Sequence, residues 1–275
     1  MFYNNEVSEL QISEKVYQMN IIKSSIKNLL NKMGYIIVKK RSNVEVIDKY
    51  ILTQYCKKDD YLQRYAEAIG KAGLKSSDNF FKQRRYYSVY QMVNHVINKG
   101  ISGDFSECGC WKGHSTYMIS KLLQDNGFSQ TFHIFDSFEG GLSDKSEEDK
   151  NLREKLTEAQ IKKEKMLFSN TEEDVKKLLS DFKFVKLYPG WIPERFHEVS
   201  NRTFSFVFID VDLYQPTLES LNFFYPRLSK GGVIVIDDYG YSQFPGAAIA
   251  VDSLLNKNKP SICFADSMGS FIIIK

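Results

Sequence analysis

From about Gly100 onward, short apolar runs alternate with longer amphipathic segments. Residues 103–110, 132–136, 183–187, 204–210 and 233–237 are the apolar runs, and 116–123 and 216–228 carry helical spacing. Strand followed by helix, repeated in that order, predicts parallel strands joined by crossovers: an α/β fold with a doubly wound, mostly parallel, Rossmann-like sheet. Residues 271–274 predict a last strand, antiparallel, at or near the sheet edge. Before Gly100 the texture differs. That part is rich in Lys, Asn and Tyr, with helical patterning over 16–30 and 61–72 and one β-like stretch at 35–38. We therefore expect residues 1–85 to form a mainly helical extension or cap and 86–275 to form the α/β domain. So many Tyr, Leu and Ile in the first part need burial, against the sheet or in a subunit contact, which leaves a homo-oligomer open. Residues 139–165 form a highly charged insertion that suits either a mobile lid helix or a solvated surface helix.

Composition narrows the function classes. The chain has 275 residues, 43 % of them hydrophobic, enough for a sizeable core. Its 37 basic and 34 acidic side chains give a net charge of +3, spread along the sequence, so nucleic acid is not favoured as a partner. No apolar run approaches the ~20 residues that span a bilayer, and the amino terminus lacks a secretory pattern, so we expect a cytoplasmic protein without stable membrane insertion. Cys108 and Cys110 alternate without the two-residue gap of zinc or redox pairs; with Cys56 and Cys263 they are expected to be buried free thiols.

Ligands of open α/β sheets bind beyond the carboxyl ends of the strands, so the residues ending each run carry the candidate chemistry. The first run ends in Glu107-Cys-Gly109-Cys-Trp111-Lys-Gly113-His-Ser115. Gly109 and Gly113 let the backbone turn tightly and approach a ligand before a helix. The spacing is E-x-G-x-x-x-G, neither the three-glycine dinucleotide fingerprint nor a phosphate loop. It fits S-adenosylmethionine (SAM), another nucleotide, or a plain turn. The second run ends in Asp136-Ser137; Asp136 can accept hydrogen bonds from both ribose hydroxyls of a nucleoside, or act as a turn or cap aspartate. Two further runs end in Asp210-Val-Asp212 and in Asp237-Asp238. Clustered carboxylates repel one another and resist desolvation unless something positive neutralises them. A hard divalent cation such as Mg²⁺ answers this with oxygen ligands, and solvated loop or capping aspartates are the alternative. The four histidines are scattered and suggest no soft-metal site.

The order Glu-Cys-Gly-Cys-Trp-Lys-Gly, Asp-Ser-Phe-Glu-Gly, Pro189-Gly190-Trp191, Ile-Asp-Val-Asp-Leu-Tyr, Leu228-Ser-Lys-Gly-Gly232, Asp-Asp-Tyr-Gly240 and Pro245-Gly246 resembles the TylF (macrocin) O-methyltransferase family, from Tyr86 to the carboxyl terminus. The resemblance implies a class I methyltransferase fold, SAM as donor, Mg²⁺, and a hydroxyl acceptor on a sugar or other small molecule. It implies that Glu107, Gly109, Trp111, Gly113 and Ser115 line the methionine part of SAM. Asp136, with Ser137 beside it, would hold the ribose, and Gly190 and Trp191 would lie near the adenine. It also implies Asp210, Asp237 and Asp238 as metal ligands, with Asp212 or Asp210 as the base. A phenol or catechol acceptor, or a catalytically silent SAM-fold module, are the rival readings. His114, where a small residue is expected, and Val211, where glycine is common, depart from the family pattern.

Overall fold

The computed structural model describes residues 60–275 apart from 76–77, 140, 151–156, 158–161 and 163–165. The chain divides into two units, residues 1–42 and 43–275, and all described residues belong to the second. The expected helix over 16–30, the β-like stretch at 35–38, Cys56 and most of the charged insertion lie outside the described residues.

Among the described residues, two helices precede the sheet. In α1 (Tyr61–Lys71) the buried residues Tyr61, Tyr65, Ala68 and Ile69 recur at helical spacing and form one apolar stripe. The longer α2 (Phe80–Asn98) starts where the Asn79 side chain accepts the Lys82 backbone N–H. The boundary expected at residue 86 falls inside α2. Five parallel strands follow: β1 (Asp104–Cys108), β2 (Phe132–Asp136), β3 (Val185–Pro189), β4 (Phe204–Ile209) and β5 (Leu228–Ile236). The helices between them are α3 (His114–Asp125), α4 (Glu172–Leu178) and α5 (Tyr214–Arg227). After β5 come α6 (Pro245–Lys257), β6 (Ile262–Ala265) and β7 (Phe271–Ile274). The sheet order is β3-β2-β1-β4-β5-β7-β6, with β7 antiparallel to both neighbours.

Alternation along the strands supplies two cores. Phe206, Phe208, Val233 and Val235 face α1, α2 and α3, whereas Val207, Ile209, Ile234 and Ile236 face α5 and α6. Helices on both faces of a mostly parallel sheet make the fold doubly wound, as the strand–helix alternation implied. The order reverses between β1 and β4, which opens a crevice at their carboxyl ends. There the aspartates and glycines of the sequence motifs gather.

Three local differences from the sequence reading have physical causes. The third strand starts two residues later than expected, because Phe184, which begins the apolar run, packs on the first core from the turn that Val185 N–H closes onto Phe182 O. The strand β6 escaped notice because all four of its residues are exposed, so burial leaves no alternation to read. Cys108 and Cys110 are buried free thiols, but Cys263 lies on this edge strand and is exposed.

Candidate active site

Backbone hydrogen bonds carry the strand registers past the strand ends and so fix the site loops to one another. Gly109 N–H donates to Phe135 O, Asp210 N–H to Cys108 O, and Asp237 N–H to Ile209 O, each at 2.8 Å. Gly109 has φ 81°, and a Cβ there would sit 1.9 Å from the Asp210 carbonyl oxygen. Glycine is required at that point by the packing of β1 against β4, before any ligand is considered. Trp111, Asp212 and Asp238 have φ of 46°, 60° and 61°. Three non-glycine residues in the left-handed region at one crevice mark strain concentrated where ligands bind.

Two cavities meet at these strand ends. The first, about 350 Å³, is lined by Gly109, Trp111, Asp136, Ser137, Trp191, Asp210 and Asp212, among others. The second, about 580 Å³, lies towards α2 and takes in Lys82, Arg85, Tyr86, His114, Ser115 and Asp238. Gly109, Trp111, Phe168, Asp210 and Asp212 border both.

The expected site residues divide accordingly. Glu107 lines neither cavity. It is fully buried, and its carboxylate accepts from the Ser115 and Thr116 hydroxyls, the latter at 2.6 Å, so it ties the end of β1 to the start of α3. Burial pushes its pKa up to about 7 against those hydrogen bonds. Gly113 and Gly190 also lie off the cavity walls. Asp136 borders the first cavity while its carboxylate organises the loop. One oxygen accepts the Cys110 and Trp111 N–H groups at 2.8 and 3.1 Å; the other accepts Phe138 N–H at 2.9 Å and Asn170 Nδ2 at 3.3 Å. A carboxylate offers about four lone-pair sites. Ribose hydroxyls at Asp136 would therefore replace the long Asn170 contact.

Asp210, Asp237 and Asp238 present carboxylate oxygens that all lie within 4.8 Å of one another. Burial, and then the charge of Asp237, hold the Asp210 and Asp238 carboxyls well above the usual carboxylate range. Burial and the neighbouring Asp210 push Asp212 up to about 8. Asp237 Oδ2 is buried without an aligned hydrogen bond. Crowded, desolvated oxygens, one of them facing Arg85 in an ion pair without an aligned hydrogen bond, fit a hard divalent cation. The Tyr86 hydroxyl donates to Asp210 Oδ2 at 3.2 Å.

Sequence reasoning missed Lys82, Arg85 and Asn170, which come from α2 and from the segment after the insertion and carry no motif. Among the aromatic residues near the strand ends, Tyr86 and Tyr241 line the second cavity and Trp191 the first. Tyr87 is instead buried between Tyr61 and Tyr90, and Tyr239 packs on Phe271.

A family model described as Macrocin-O-methyltransferase (TylF) matches residues 37–270. The chain belongs to the TylF family. Among curated relatives, the chain is 26 % identical over 161 residues to the demethyldecarbamoylnovobiocin O-methyltransferase of Streptomyces niveus, covering 57 % of this chain and 60 % of that protein. It is 30 % identical over 177 residues to the 8-demethyl-8-(2,3-dimethoxy-alpha-L-rhamnosyl)-tetracenomycin-C 4'-O-methyltransferase of Streptomyces olivaceus, covering 61 % of each. The chain thus spans about three fifths of the length of these curated relatives. Among solved structures, the O-methyltransferase NovP aligns with a TM-score of 0.56 at 22 % identity, over 70 % of this chain and 80 % of that one. The calicheamicin methyltransferase CalS11 aligns with a TM-score of 0.57 at 16 % identity, over 86 % and 98 %. These two likenesses bear out the Rossmann-like fold read from the sequence.

Proposed function

We propose that this TylF-family chain is a SAM- and Mg²⁺-dependent O-methyltransferase whose acceptor is a hydroxyl on a sugar or glycosylated metabolite. The observation that carries the reading is the meeting of two cavities over Gly109, Asp210 and Asp212, with a three-carboxylate cluster that reaches the junction through Asp210. SAM supplies a methyl group already activated by its sulfonium, and Mg²⁺ supplies a Lewis acid that makes the acceptor oxygen more anionic.

The protein's part is mainly alignment, the largest lever for such a displacement at up to ~7–11 kcal/mol. In this reading Asp136 and Ser137 hold the ribose and Trp191 borders the adenine. Trp111 and Ser115 bound the methionine end, and Asp210, Asp237 and Asp238 hold the cation. Glu107 and Gly113 act indirectly, by fixing the loop and the start of α3. Asp212, which borders both cavities, takes the hydroxyl proton, and its strained backbone fixes where that carboxylate stands. The acceptor enters the larger cavity, where the partly exposed Trp111 and Tyr241 offer ring faces suited to sugars. The relatives' names, with novobiocin-type and rhamnosyl acceptors, support the same class.

The test is a screen of free, nucleotide-linked and natural-product sugars, with phenols and catechols alongside, using labelled SAM. We expect label in a sugar hydroxyl ether, abolished by chelator and restored by magnesium. Label only in phenols would replace the acceptor class, and full turnover in chelator would remove the metal.

A further inference from the structure

Arg85 reaches the aspartate cluster from α2, outside every strand-end motif. Its Nη1 lies 3.1 Å from Asp237 Oδ2 and 3.6 Å from Asp238 Oδ1. The two carboxylates are 1 % and 4 % exposed and the arginine side chain 16 %. A guanidinium that pairs strongly with a carboxylate makes two parallel N–H···O bonds. Here one nitrogen faces two carboxylates, Nε is buried without an acceptor, and Asp237 Oδ2 lacks an aligned hydrogen bond. The arginine is held by charge and by the Tyr86 and Tyr241 rings, 5.5 and 5.8 Å from its central carbon. It touches two of the three carboxylates that would ligate a cation, and it supplies one positive charge against all three.

We propose that Arg85 is a resident counter-cation: it neutralises the aspartate cluster when no divalent ion is bound, and thereby lowers the cluster's affinity for one. This rests on the cation reading of Asp210, Asp237 and Asp238. A positive charge beside the ligands repels an incoming cation and draws electron density from the same oxygens, so its removal strengthens cation binding. Without a cation, the same removal leaves buried carboxylates uncompensated and weakens the fold. A weakened site holds its ion firmly only once acceptor oxygens help complete the coordination shell, which links cation binding to acceptor binding.

The experiment titrates magnesium chloride into the full-length protein by calorimetry, without acceptor, for the native chain, Arg85→Gln and Arg85→Lys. Melting temperatures are recorded in EDTA and in magnesium. We expect Arg85→Gln to melt lower than the native chain in EDTA, to recover in magnesium, and to bind magnesium about ten-fold tighter or more. Arg85→Lys keeps the charge and should stay within about three-fold of the native affinity. Arg85→Met, which keeps length and ring contact without charge, serves as a second neutral variant. Neutral variants that bind magnesium no tighter than a native chain that does bind it overturn the proposal while leaving the cation site intact. Failure of both neutral variants to fold even in magnesium also overturns it, because the ion should stand in for the guanidinium. Absence of binding in native and neutral variants alike removes the cation site itself, and this proposal with it.

Discussion

His114 carries two buried ring nitrogens with no hydrogen-bond partner, against the edge of the Tyr86 ring at 4.6 Å. Burial, reinforced by the charges of Lys82 and Arg85, pushes its pKa down to about 3, so the ring is neutral at physiological pH. An unsatisfied buried polar group costs about 1–3 kcal/mol. His114→Leu should therefore raise the stability of the ligand-free protein in urea denaturation; a lower midpoint would mean that the ring contacts outweigh the orphaned nitrogens. Asp136 leads to a second expectation. Asp136→Ala should weaken S-adenosylhomocysteine binding by about 1.5–3 kcal/mol in calorimetry, the range for hydrogen bonds to a charged group. Asn170→Ala frees the Asp136 oxygen that ribose would use but also removes the Asn170 Nδ2 bond to the Trp111 carbonyl at 2.5 Å, so it should weaken binding less than Asp136→Ala; comparable losses in both would mean that Asp136 acts through the loop alone. Residues such as Asp136, Asp210 and Asp238 were legible in the sequence because each follows directly on an apolar run. Arg85 was not, because its relation to Asp237 spans most of the chain and depends on how α2 crosses the strand ends.

At the scale of elements, β1 carries one unusual carboxyl at each end. Burial would raise the Asp104 pKa, but hydrogen bonds with His133, Arg202 and the Thr131 N–H hold it well below the carboxylate range. Its stabilisation is present above the unfolded value of 3.8 and is lost as pH falls below that. Glu107 has the opposite sign. Its folded pKa of about 7 exceeds the unfolded 4.5, so the unfolded chain releases that proton first as pH rises. Stability should then fall by about 3 kcal/mol between those values and level off above. Glu107→Gln should remove that share of the slope in thermal melts, leaving in place the acid-side loss from Asp104 and the same-signed contributions of Asp210, Asp212 and Asp238; an unchanged slope would assign it to those other groups. The parallel strands β1, β2, β4 and β5 were readable because burial on both faces imposes long apolar runs. Exposed β6 was not, and the helices α2 and α6 passed unremarked because their apolar residues are interleaved with aromatic and small residues that blur a single stripe.

At the scale of the whole molecule, the crevice between β1 and β4 joins the two cavities that the proposed function assigns to donor and acceptor. Asp238 borders only the larger cavity, whereas Asp212 borders both, so substitutions there can tell cation binding from proton removal. Both residues have left-handed backbones near φ 60°, which asparagine tolerates better than other residues, so Asn exchanges charge for a neutral amide with little backbone cost. Asp238→Asn removes a proposed cation ligand. Turnover and magnesium binding should both fall by orders of magnitude, and S-adenosylhomocysteine affinity should stay within a few-fold, because the proposed donor contacts lie at other strand ends. Asp212→Asn removes the proposed base instead. Turnover should fall about 10²- to 10⁴-fold, with magnesium affinity nearly unchanged. Calorimetry for both ligands, alongside single-turnover rates on a true acceptor, separates the two roles. If Asp212→Asn loses magnesium as well, Asp212 is a ligand, and proton removal passes to Asp210 or to solvent.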